Sequence, residues 1–176
     1  MLGKVLNMFY KYIICTNNEK KVKYLKKRGA KIGKGTRFLS GVDCLGTEPY
    51  LVEIGKDCLI SSEVAFFTHD GGMKVINSLK RFSKPLDKLG KIKVGDNCFI
   101  GARSTILPGV TIGNNVIVGV AAVVSKDVPD NSVVAGIPAK TIMSIDEYYE
   151  KNKSRVHFTA SMSIKEKRKY CEENIV

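Results

Sequence analysis

The hydrophobic positions of this chain recur every six residues. Val94, Ile100, Ile106, Ile112, Val118 and Val124 each open a unit, and Gly usually stands behind them. The position four further on is always small: Cys98, Ser104, Val110, Val116 and Ala122. A 3.6-residue helix cannot produce that spacing and neither can two-residue alternation, whereas a short strand followed by a tight turn does. Three such units close one triangular coil. Its interior takes the aliphatic and small positions, and coils stacked on one another pair the backbone groups of each strand. The pattern predicts an all-β fold, a parallel β-helix.

The same phase opens upstream at Ile32-Gly33 and continues through Phe38 and Cys44. Gly46-Thr47-Glu48-Pro49-Tyr50 breaks it, as a loop thrown out at a corner, and it resumes at Ile54, Ile60 and Phe66. After Gly72 the repeat stops until Lys91. A long irregular loop leaving a rigid scaffold is a usual seat of binding function, and this one leaves just after His69. Leu2, Val5, Leu6, Phe9, Tyr12 and Ile13 have helical spacing and predict an amphipathic cap over the open end of the rod. From Ser144 to Val176, charged residues mixed with Ile145, Tyr148, Tyr149, Ile164 and Tyr170 predict one or two short helices, packed outside the rod or over a neighbouring subunit. The expected organisation is a helical cap over 1–30, a β-helix over 31–143 with the loop 72–91 inserted, and a helical tail over 144–176.

The formal charge of +12 is concentrated in two places. Residues 1–31 hold nine Lys or Arg against Glu19, and residues 73–91 hold six against Asp87. No recognition motif or aromatic interleaving accompanies these charges, so no nucleic-acid partner is expected. Lys20, Lys21, Lys23, Lys26, Lys27 and Arg28 suit a weak association with an anionic membrane surface. No segment is long enough to span a bilayer, and no cleavage site follows the basic start. The five cysteines show no paired or zinc-like spacing. Cys58 and Cys98 fall at small interior positions, and the odd count suits a reducing cytoplasm.

The repeat closes with Val123-Val124-Ser125-Lys126-Asp127-Val128-Pro129 and then Val134-Ala135-Gly136-Ile137-Pro138-Ala139-Lys140. With that ending it resembles the hexapeptide-repeat acyltransferases over about residues 30–143. The resemblance implies a left-handed coil, against the general crossover rule, acetyl-CoA as cosubstrate, no metal, and homotrimers with active sites between subunits. The tail is similar to those of bacterial capsule and lipopolysaccharide sugar O-acetyltransferases. Gly101, Ala102, Val120 and Ala121 match positions that line the CoA groove of the resembling enzymes. Ser125, Lys126 and Lys140 match positions near its adenine and phosphate end, where cations suit a polyanion.

O-acetyl transfer requires a base that takes the hydroxyl proton and later protonates the departing thiolate, which one imidazole does in turn. Only His69 and His157 exist. His69 follows Phe66 by three, a corner position outside the filled interior. In related enzymes a histidine just before such a loop is the general base, and transfer is direct, without an acyl-enzyme. Asp43, in the coil before His69, and Asp87, where sugar acetyltransferases of this type often carry a Glu, are candidates to orient the imidazole or to bind acceptor hydroxyls. The backbone N–H of Gly101 or a neighbour is the candidate oxyanion donor. Gly41 stands where maltose-type members carry Asn, which argues against a maltose-like acceptor.

The activity implied is acetyl transfer to a sugar hydroxyl in capsule, O-antigen or related polysaccharide assembly. The alternatives keep the fold and change the acceptor, to a nucleotide-linked amino sugar whose phosphate would meet the basic loop Lys74–Lys91, or to an antibiotic. A non-catalytic assembly module would bind no CoA. A hydratase resembling γ-class carbonic anhydrases needs three histidine ligands, more than His69 and His157 supply.

Overall fold

The computed structural model describes residues 17–175, so the helix expected over 2–14 lies outside the described part. The chain forms two compact units, one up to residue 145 and one from residue 146.

The first unit is a three-sided stack of coils. One face stacks β1 (Lys31–Ile32), β3 (Val52–Ile54), β6 (Ile92–Val94) and β9 (Thr111–Ile112). The second stacks β2 (Arg37–Phe38), β4 (Leu59–Ile60), β7 (Phe99–Ile100), β10 (Ile117–Val118) and β12 (Ser132–Ala135). The third stacks β5 (Ala65–Phe66), β8 (Thr105–Ile106) and β11 (Val123–Val124). All these pairings are parallel, and among the described strands β13 (Lys140–Ser144) turns back antiparallel, onto β12.

The six-residue period becomes columns of identical register. Phe38, Ile60, Ile100, Val118 and Val134 stand one above another, as do Phe66, Ile106 and Val124, and all are buried. The small positions complete the interior: Cys98, Ser104, Val110, Val116 and Ala122 are all buried. Polar members there stay satisfied, Ser104 by donating to the Gly101 carbonyl at 2.7 Å and Cys98 by donating to the Gly113 carbonyl at 3.1 Å.

The open end of the second face is closed by α1 (Asn18–Lys27), whose N-cap Asn17 accepts from two backbone N–H groups. Asn18 completes the edge of β2 with its own amide, donating to the Thr36 carbonyl at 3.1 Å and accepting from the Phe38 N–H at 2.8 Å. The Lys21 ammonium donates to the carbonyls of Phe38 and Ser40, at 3.0 Å each, and Leu25 is fully buried. These side chains take backbone partners on the edge of β2 that a further coil would otherwise take. One of the six basic residues suited to a membrane surface is therefore committed to the interior.

The second unit contains most of α3 (Ile145–Asn152) and all of α4 (Ile164–Asn174), which opens on a capping box of Ser163 and Glu166. His157 lies here, exposed, with its Nδ1 2.9 Å from the Tyr170 hydroxyl. No helix of the described residues is long and apolar enough to cross a membrane.

Candidate active site

His69 follows β5 at the corner where the chain leaves the stack. The loop begins and ends on a short antiparallel pairing: His69 lies opposite Leu89, the Asp70 N–H donates to the Lys88 carbonyl at 3.0 Å, and the Gly90 N–H donates to the Thr68 carbonyl at 2.8 Å. Gly90 is required there, because a Cβ would stand 2.3 Å from the Gly109 nitrogen of the neighbouring coil. Lys88 pairs with Asp70 at 3.1 Å across the same pairing. The Asp70 carboxylate is held below its usual range, first by the Gly72 N–H and then by Lys88. The histidine backbone is thus clamped between rod and loop, while its side chain remains 44% exposed.

The imidazole is oriented by a residue outside the repeat. His69 Nδ1 lies 2.9 Å from Glu48 Oε2, which also accepts from the Thr68 hydroxyl at 2.7 Å, while Glu48 Oε1 accepts from the Thr47 hydroxyl at 2.7 Å. These bonds, that of His69 foremost, hold the Glu48 carboxyl at about 2 instead of 4.5. An ionised carboxylate has no proton to donate, so Nδ1 must carry the hydrogen and Nε2 is left with the lone pair of a base. The loop bearing Glu48 is braced from α1, whose C-terminal Arg28 reaches the carbonyls of Gly46 and Thr47 at 3.4 and 3.5 Å.

The carboxylate on Nδ1 is therefore neither Asp43 nor Asp87. Asp43 is exposed in the turn before that loop, its carbonyl accepting from the Gly46 N–H at 2.9 Å. Asp87 does share a site with the imidazole: a cleft of about 520 Å³ is lined by His69, Asp70, Met73, Lys74, Asn77 and Asp87. Sequence reasoning passed over Glu48 because its loop is out of phase. The available signal was that this loop leaves the same corner one coil before His69 and holds a single carboxylate.

The residues matched to a CoA groove flank the third face, the one that ends in His69. Gly101 and Ala102 precede β8, Val120 and Ala121 precede β11, and the Ala121 N–H donates to the Ala102 carbonyl at 2.8 Å, so the two corners stack. Val120 is 67% exposed, leaving an open surface of small and aliphatic groups. Ser125 and Lys126 lie exposed at the corner that follows β11, and Lys140 stands exposed at the start of β13 opposite Ala135. Gly101 itself is buried, and its N–H donates to the Val118 carbonyl at 2.9 Å. That N–H is committed to coil stacking and is not a free oxyanion donor.

Comparisons with known proteins agree with this architecture. A family model described as the hexapeptide repeat of succinyl-transferase matches residues 91–126. The chain is 44% identical over 148 residues to protein CapG of Staphylococcus aureus, covering 83% of this chain and 84% of CapG. It is 38% identical over 96 residues to the putative lipopolysaccharide biosynthesis O-acetyl transferase WbbJ of Escherichia coli K12, covering 52% of this chain and 49% of WbbJ, about half of that relative's length. A solved structure of galactoside acetyltransferase in complex with coenzyme A superposes with a TM-score of 0.58 at 24% identity, covering 83% of this chain and 82% of that one. At that identity the likeness is one of fold.

Proposed function

Since the chain belongs to the hexapeptide-repeat acyltransferase family, we propose that it transfers the acetyl group of acetyl-CoA to a sugar hydroxyl in the assembly of a bacterial surface polysaccharide. The observation that carries this reading is the Glu48–His69 pair at the mouth of the cleft, which fixes the tautomer a general base needs. The left-handed coil of the family is part of the same reading. So is a homotrimer, in which a second copy supplies the missing wall beside the exposed imidazole and so excludes water. A cytoplasmic location is part of the same reading, and Cys58 and Cys98 fill small interior positions of the rod.

His69 Nε2 accepts the hydroxyl proton as the acceptor oxygen attacks the thioester carbonyl that bound acetyl-CoA presents. Glu48 stabilises the imidazolium that forms, and His69 returns the proton to the departing thiolate. The products are an O-acetylated sugar and free CoA thiol. Ala102, Val120 and Ala121 suit a pantetheine arm because small corners allow close approach, and exposed Ser125, Lys126 and Lys140 suit its phosphates.

The test is thiol release from acetyl-CoA in the presence of neutral sugars, phosphorylated sugars, amino sugars and aminoglycosides. Release that depends on a hydroxyl acceptor, with an O-acetyl product by mass spectrometry, is the expected result. Product acetylated only on nitrogen would replace this reading with N-acetylation of an amino sugar or an antibiotic.

A further inference from the structure

We propose that the acceptor is a phosphorylated sugar, bound through its phosphate on the loop beside His69. The inference rests on the sugar acetyl-transfer reading and narrows it.

The six cations of the loop divide into two groups. Lys88 and Lys91 stand at its base and are paired, with Asp70 at 3.1 Å and with Glu53 at 2.8 Å. Lys74, Lys80, Arg81 and Lys84 lie on its outer part, exposed, and among the described residues none of them has a carboxylate partner. Four like charges on one short segment repel one another unless an anion joins them.

The outer part is folded into a defined shape. Asn77 Nδ2 donates to the Leu86 carbonyl at 2.9 Å and Asn77 Oδ1 accepts from the Leu86 N–H at 2.8 Å, closing the segment between them. Lys80, at φ +51°, turns the chain back after the short helix α2 (Met73–Ser78). Within this closed segment lies a second cavity of about 330 Å³, lined by Asn77, Lys80, Phe82, Ser83, Lys84 and Pro85. Asn77 also lines the His69 cleft, so the two cavities adjoin.

Their chemistries are complementary parts of one ligand. The first offers the imidazole and Asp87, groups that hold and deprotonate sugar hydroxyls, with Lys74 on its wall. The second offers two unpaired ammonium groups and the Ser83 hydroxyl, which suit phosphate oxygens, beside the open ring of Phe82. A neutral glycan would use only the first. The phosphate could come from a simple sugar phosphate or from a nucleotide-linked sugar, in which the base would meet Phe82.

The experiment measures thiol release by the full-length protein with glucose, galactose and N-acetylglucosamine, each as free sugar, 1-phosphate and uridine diphosphate ester. For the sugar that is turned over, the phosphorylated forms are expected to exceed the free form at least about tenfold in kcat/KM. In K80Q/K84Q, two exposed positions, that ratio is expected to fall to about twofold or less, through acceptor KM, with KM for acetyl-CoA as in wild type. A better uridine diphosphate ester or a better 1-phosphate each supports the inference and identifies the source of the phosphate. Equal kcat/KM for all three forms, a ratio unmoved in K80Q/K84Q, or a raised KM for acetyl-CoA would overturn the phosphate site while leaving sugar acetylation in place. Turnover of no form of any sugar would overturn both.

Discussion

Glu48 Oε2 and His69 Nδ1 lie 2.9 Å apart although 21 residues separate them, because the two corners belong to successive coils of one stack. The rod thus brings a carboxylate under an imidazole as a consequence of register. In the proposed reaction Glu48 is a positioning residue, acting through His69.

Glu48→Gln keeps the side-chain length but removes the charge and supplies an amide that can both donate and accept, so the imidazole tautomer is no longer dictated. The expected result is a fall in kcat of about 10- to 100-fold, with KM for acetyl-CoA within about twofold of wild type, measured by thiol release. An unchanged kcat and pH profile would show that Glu48 only braces the loop.

The same carboxyl makes a pH-dependent contribution to stability. Its folded value, about 2, lies below the usual 4.5, so the stabilisation is fully present above 4.5 and is lost as pH falls from there toward 2. The difference between thermal melts of wild type and Glu48→Gln is therefore expected to be largest near neutral pH and to narrow as pH falls from 4.5 toward 3. A constant difference across that range would contradict the assignment.

Lys21 is 7% exposed and donates to two edge carbonyls. Lys21→Met fills similar space but leaves both acceptors without their donor, at a cost of about 2 kcal/mol. Urea unfolding is the measurement, and a loss below about 0.5 kcal/mol would show that water replaces the ammonium at this edge.

The β-helix was legible because every interior position must be apolar or small whichever coil it occupies, so Val94 through Val124 spell out the stack. The cap was sought among the apolar residues of 2–14. Within the described residues the closing helix is Asn18–Lys27, where Lys21 counts as surface charge by polarity and becomes interior only because strand β2 has carbonyls to satisfy. Glu48 was illegible for a related reason. Its meaning depends on how a loop stacks against a coil it does not belong to, and periodicity carries no information about residues out of phase. Asp87 was singled out through the resemblance alone, as the residue standing where related enzymes often carry a Glu, and it lines the cleft that holds His69.

The central claim is that His69 is the base. Steady-state thiol release by His69→Ala, with acetyl-CoA affinity measured separately by calorimetry, tests it most directly. The account predicts turnover lower by about 10²- to 10⁴-fold with acetyl-CoA affinity nearly unchanged. Turnover within a few-fold of wild type would contradict it.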